Sequence, residues 1–153
     1  MERLKYLKNL PKKHSGSGVV FFNKSKEILL VKPVYKEVWI LPGGVVEKSE
    51  SPRMAAVREV KEEIGLHIKN LQMVCLDWKS QDIYDNYQFI FYGGALSKKQ
   101  IAKIVLQNRE LSEYKFFSVN RANVLLSQAM ARRLKKCLKA INDKKIIYLE
   151  DQK

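Results

Sequence analysis

The chain has 153 residues, with 29 Lys plus Arg against 16 Asp plus Glu and a formal net charge of +13. That length suits one domain with a sizeable core, and 46% hydrophobic with 10% aromatic residues excludes a disordered chain. The strong positive balance favours a polyanionic partner without choosing between nucleotide, nucleic acid and anionic surface.

The first 16 residues are basic and polar. They read as an N-terminal arm, ahead of a single domain over 17–153. "GVVFF" and "ILLVKP" flank "NKSKE" and predict a β-hairpin that Pro33 ends. "EVWILPGG" predicts a further short strand, stopped by Pro42, Gly43 and Gly44. Ser51 then serves as an N-cap and Pro52 as a first helical residue, so a helix is expected over Pro52–Ile64 with Gly65 closing it. "LQMVCLDW" and "YQFIFYGGAL" predict two strands joined by the polar loop "KSQDIYDN". Residues 97–113 give no clear pattern, and "YKFFSV" reads as a strand. From Asn120 a helix is expected, with Met130, Leu134, Cys137, Leu138 and Ile141 as its apolar stripe. "KIIYLED" closes the chain as a last short strand. The alternation implies a mixed sheet with helices packed on it, an α/β (α+β) fold.

Cys75 and Cys137 have no close spacing and no CxxC, which argues against a disulfide framework and for a reducing compartment. With no apolar run long enough for a signal peptide or a membrane span, the expected location is cytoplasmic.

The helix over Pro52–Ile64 is chemically odd. Glu59, Glu62 and Glu63 fall at i, i+3 and i+4 and share one face, with the small Ala55 one turn earlier. Val57, Val60 and Ile64 occupy a different face that can dock on the sheet. Like charges at this spacing destabilise a helix by a few tenths of a kcal/mol per pair, and the C-terminal dipole disfavours them further. A solvated acidic face with Arg58 and Lys61 as partners is the plain explanation. A hard divalent cation is the functional one, because Mg²⁺ takes carboxylate oxygens, waters and phosphates.

The wider spacing decides between them. Gly44, Glu50, Arg58, Glu59, Val60, Glu62, Glu63, Gly65 and Leu66 fit G-x5-E-x7-R-E-U-x-E-E-x-G-U, where U is aliphatic. Chance agreement at average residue usage is on the order of 10⁻⁹ per starting position. The stretch resembles the Nudix box, and the element order extends the resemblance to a MutT-like Nudix hydrolase over most of the chain. That resemblance implies an α/β/α sandwich with a mixed sheet, a catalytic loop–helix–loop and a C-terminal helix. It implies hydrolysis of a pyrophosphate bond in a nucleoside diphosphate linked to another moiety, with Mg²⁺ (or Mn²⁺) as cofactor. Glu59, Glu62, Glu63 and the Gly44 carbonyl would hold the metal, and Arg58 would orient the glutamates. Glu50 and Gly65 would support the box. Glu62 or Glu63 would take the proton from water, with Glu110 or Glu113 downstream as the other option; Glu113 joins the catalytic set. Lys32 is expected to face substrate phosphates and Tyr84 to stack on a base, whereas Trp39 is expected in the core. The partner is expected to be a small nucleotide-type diphosphate, acted on by a monomer or homodimer away from any membrane. An RNA 5′-end pyrophosphohydrolase or a non-catalytic nucleotide sensor is the alternative. For Arg132, Arg133, Lys135, Lys136 and Lys139 on the late helix, a solvated face is favoured over an RNA contact.

Overall fold

The computed structural model describes residues 1–80 and 85–153. Apolar runs such as "VVFF" and "ILLV" alternate sides along two strands, β1 (His14–Phe22) and β2 (Ile28–Pro33). Val19, Phe21, Leu29 and Val31 enter one core, and Val20, Ile28 and Leu30 enter a second on the opposite face. A sheet buried on both faces needs such continuous apolar strands.

The remaining strands are β3 (Gly43–Val45), β4 (Gln72–Lys79), β5 (Asn86–Ala95), β6 (Leu111–Phe117) and β7 (Ile147–Glu150). They make one sheet in the order β6-β2-β1-β5-β4-β7, with β3 also paired to β1. β1 runs parallel to β5 and β4 parallel to β7, while the other pairings are antiparallel. Helix α2 (Pro52–Ile64) covers the first core through Ala56, Val60 and Ile64. Helices α4 (Val119–Leu125) and α5 (Gln128–Asn142) cover the second through Ala122, Leu134 and Cys137. The result is the expected α/β/α sandwich around a mixed sheet.

Several expectations are corrected. Within the N-terminal arm, α1 spans Glu2–Lys8 without a buried residue, and β1 starts at His14, ahead of the expected domain start at residue 17. The strand expected at "EVWILPGG" is displaced. Ile40 makes only a bridge to Val31, and the glycine pair is itself strand β3, aligned with Ser17 and Gly18 of β1. Gly43 has φ +150°, and a Cβ there would collide with the Ser17 carbonyl, so only glycine allows this close pairing. The single late helix is two, because Leu126 is extended and the Ser127 hydroxyl restarts the chain by accepting from Met130 N–H at 3.3 Å. In the unassigned stretch, Ser97 and Gln100 form a capping box that opens the short helix α3 (Lys98–Ile101).

Arg133 is not on a solvated face. It is 4% exposed, and its Nε donates to Asp77 Oδ2 at 2.7 Å inside the second core. Gln152 closes the network, its backbone N–H donating to Asp77 Oδ1 at 3.1 Å and its side-chain amide to Oδ2 at 3.2 Å. Trp39 packs edge-on against Phe117 with ring centroids 4.9 Å apart, as expected of a core residue. Among the described residues no helix is long and apolar enough to cross a membrane.

Candidate active site

Helix α2 begins and ends where its sequence says. The Ser51 hydroxyl accepts from Met54 N–H at 3.2 Å, Pro52 opens the first turn, and Gly65 takes the left-handed conformation at φ 72°. Its apolar face fixes the rotation of the helix, and that rotation carries Arg58, Glu59, Glu62 and Glu63 towards β3.

Arg58 joins this group. Its Nε and Nη2 donate to the two carboxylate oxygens of Glu50 at 2.8 and 3.1 Å. Its Nη1 donates to Glu59 at 2.8 Å and Glu62 at 3.1 Å, and Nη2 also reaches the Val45 carbonyl at 3.0 Å. A planar guanidinium supplies enough donors for this fork. Hydrogen bonds to Glu50 raise the Arg58 pKa, and the bond from Arg58 lowers that of Glu50. Glu50 also accepts from the Glu47 N–H at 3.0 Å, which pins the loop before the helix.

Glu59 lies against β3, where a Cβ on Gly44 would collide with its carboxylate. Burial raises the Glu59 pKa, outweighing Arg58 beside it. Glu63 is 5% exposed and accepts from the Gly43 N–H at 2.9 Å. Burial pushes its pKa up to about 8, and the charges of Glu59, Glu110 and Glu62 push the same way. Glu62 remains exposed at 56% of its side chain.

The other expected site residues fall in different places. Glu110 acts on the glutamate group through its charge. Glu113 does not join that group. It pairs with Lys32 across the β2–β6 ladder, and by strand alternation both share the face of Ile28 and Leu30, away from α2. Lys32 Nζ approaches Glu37 at 3.7 Å. Tyr84 lies outside the described residues. On the α5 side of β3, a cavity of about 320 Å³ is lined by Gly43 and Gly44 together with Gly16, Asn86 and Gln88. Sequence reasoning missed this cavity; its signal was the run of small residues "SGSG" facing amides two apart on another strand.

The donor set suits a hard divalent cation: three carboxylates beside a backbone carbonyl, with no cysteine or histidine. Among the described residues no three such side chains converge on one point, because Arg58 holds Glu59 and Glu62 while Glu63 turns to Gly43. Mg²⁺ needs only one or two carboxylates when waters and phosphates complete its shell. Among the described residues no arginine or lysine ion-pairs with Glu63, so its charge is poorly compensated without a cation.

This has a pH consequence for metal-free protein. Glu63 is neutral in both folded and unfolded chains below its ordinary pKa of 4.5, and its folded pKa is raised to about 8. Stability is therefore full below that ordinary value, falls as pH rises towards 8 and then levels, a loss of a few kcal/mol. Urea unfolding in EDTA at pH 5 and pH 9 measures it, and Glu63→Gln should flatten the difference. An equal slope in the variant would remove Glu63 as the cause. Separately, Gly44→Ala should displace the Glu59 carboxylate, and if that carboxylate serves the reaction, activity should fall roughly ten- to a hundredfold. Steady-state rates together with a thermal melt check that the loss is local.

A profile of the NUDIX domain matches residues 12–140. An ADP-ribose pyrophosphatase of Bacillus subtilis is 30% identical over 112 residues, which is 70% of this chain and 57% of that protein. An RNA pyrophosphohydrolase of Hydrogenovibrio crunogenus is 32% identical over 68 residues, 43% of this chain and 41% of the relative. The matched stretches thus span about half of these relatives' own length. Among solved structures, a UDP-X diphosphatase superposes with a TM-score of 0.74 at 19% identity, covering 97% of this chain and 73% of that one. A MutT protein from Methanosarcina mazei superposes with a TM-score of 0.68 at 19% identity, covering 88% and 97%. Fold and site together define an α/β/α sandwich with an acidic loop–helix–loop centre. The chain belongs to the Nudix family.

Proposed function

We propose that this protein hydrolyses the pyrophosphate bond of a nucleoside diphosphate linked to another moiety, with water attacking phosphorus. The observation that carries the reading is the cluster of Glu59, Glu62 and Glu63 at one helix end, laced by Arg58 and set against Gly43 and Gly44. Glu59, Glu62, Glu63 and the Gly44 carbonyl would hold a divalent cation, Mg²⁺ or Mn²⁺. A cation held there would supply charge to neutralise phosphate oxygens and would lower the pKa of water.

The chain's own residues do the rest. Arg58 fixes Glu59 and Glu62 relative to the helix, so that neither has to be ordered when substrate arrives. Glu50 fixes Arg58 in turn. Glu63, buried and accepting from the Gly43 N–H at 2.9 Å, is held in place to accept the proton from the attacking water. Glu62, more exposed, is the other acceptor within the group. Glu110 adds negative charge that helps to draw a cation in.

An RNA 5′ end is the second reading, favoured by the net charge of +13 and by the match to an RNA pyrophosphohydrolase. The test is an assay with Mg²⁺ or Mn²⁺ against a broad panel of diphosphate compounds and triphosphorylated RNA, with products identified by mass. Release of a nucleoside monophosphate from a small compound supports the first reading. Preference for RNA selects the second, and no hydrolysis of any substrate overturns both.

A further inference from the structure

The glutamate group rests on a side chain whose polar atom has no partner. Along β1, a Cβ at Gly16 or Gly18 would face Gln88 or Ile90, and Ile90 belongs to the second core. Ser17 between them therefore faces α2, in line with Val19 and Phe21 of the first core. Ser17 is 5% exposed, and among the described residues its Oγ has no hydrogen-bond partner. The sheet around it offers none, since Val19 follows on the same face and Phe89 stands beside it in the β1–β5 ladder. On its other side Ser17 is aligned with Gly44 of β3.

That alignment places the hydroxyl next to a carboxylate. Residues opposite one another in an antiparallel pair share a face, with Cβ atoms about 5 Å apart. Gly44 has no side chain, and the Glu59 carboxylate occupies its place: a Cβ there would collide with Oε1 and lie 2.9 Å from Oε2. Ser17 Oγ thus adjoins Glu59 without bonding to it. Glu59 is itself half satisfied. Arg58 Nη1 donates to its Oε1 at 2.8 Å, and among the described residues no hydrogen bond reaches Oε2.

We infer that Ser17 is a positioning residue of the cation site: when the glutamates take up a divalent cation, its hydroxyl donates to Glu59 and holds that carboxylate in its ligating position. The inference deepens the proposed function and rests on it for the cation. Packing alone gives no reason for the hydroxyl, because alanine occupies nearly the same volume without burying a polar atom. A buried hydroxyl left unpaired destabilises the state that contains it. Metal-free protein is such a state, with Glu59 drawn to Arg58 alongside Glu50 and Glu62. A bond formed only on loading removes that penalty and so favours the loaded state. Carboxylates that ligate metals are generally held by further hydrogen bonds of this kind. A hydroxyl adds the donor without the positive charge of a lysine or arginine, which would repel the cation.

Calorimetric titration of the metal-free full chain with Mn²⁺, in the absence of substrate, reads the effect directly. Ser17→Ala should weaken Mn²⁺ binding roughly ten- to a hundredfold, the usual effect of removing a partner that orients a metal ligand. In EDTA the same variant should unfold at an equal or higher urea concentration than wild type, since it removes an unpaired buried atom. A residue with a packing role alone gives neither result. A crystal structure of the Mn²⁺-loaded protein should place Ser17 Oγ within about 3 Å of a Glu59 oxygen. Unchanged Mn²⁺ affinity in Ser17→Ala, lower metal-free stability of that variant, no Mn²⁺ binding by wild type, or a hydroxyl bonded elsewhere in the loaded structure overturns the inference. The two readings fail separately. Mn²⁺ binding that depends on Ser17, in a protein that hydrolyses no diphosphate compound, sinks the proposed reaction alone. Hydrolysis accompanied by Mn²⁺ binding indifferent to Ser17 sinks this inference alone.

Discussion

Glu63→Gln should lower kcat by about 10²- to 10⁴-fold, the range of a lost general base, while leaving the fold intact. Glutamine keeps the size of the side chain and an oxygen that accepts from Gly43 N–H, now at 2.9 Å. What it loses is the negative charge and the capacity to take a proton. Because that charge is buried and the Arg58 donors go to Glu50, Glu59, Glu62 and the Val45 carbonyl instead, the metal-free variant should be more stable than wild type at pH 9. Loss of activity with gain of stability is a signature that a purely structural residue does not give. Glu62→Gln should also lose activity, with little change in stability because the side chain is largely exposed. Rates equal to wild type in Glu59→Gln, Glu62→Gln and Glu63→Gln, each measured with saturating Mg²⁺, would remove the assignment of this group to catalysis.

The largest stability effect is expected at the other side of the sheet. Arg133→Met leaves Asp77 as a fully buried charge whose remaining partner is Gln152. Removing one member of such a pair costs about 3–5 kcal/mol, far more than the pair itself contributes over apolar neighbours. At roughly 2–4 °C per kcal/mol for a domain of this size, the melting temperature should fall by about 6–20 °C. The double variant Arg133→Met with Asp77→Leu should recover most of the loss, since no charge is then stranded. A single-variant loss under about 1 kcal/mol by urea unfolding would mean that the Asp77 charge is not stranded and would remove this pair as a buried determinant of stability.

Helix α2 was legible because all its determinants are local. Ser51, Pro52 and Gly65 act within a few residues of their own position, and the glutamate spacing follows from the helical period. The glycine pair was misread for the opposite reason. As punctuation, Pro42-Gly43-Gly44 signals a stop; what makes Gly43 and Gly44 a strand is the backbone of Ser17 and Gly18, distant in sequence. Arg133 looked like one more cation on a basic helix. Its partner Asp77 lies 56 residues away on β4, and no periodicity reports such a pairing. Glu110 and Glu113 could not be separated by motif either, since strand register alone turns Glu113 towards Lys32.

The three residues of β3 form a thin partition, with the glutamate group on one side and the cavity on the other. Walls of this kind transmit disturbance, because a shift of Gly43 moves a hydrogen-bond donor of Glu63 and a boundary of the cavity together. Reshaping the cavity should therefore alter the rate of bond cleavage even for compounds that never touch the new space.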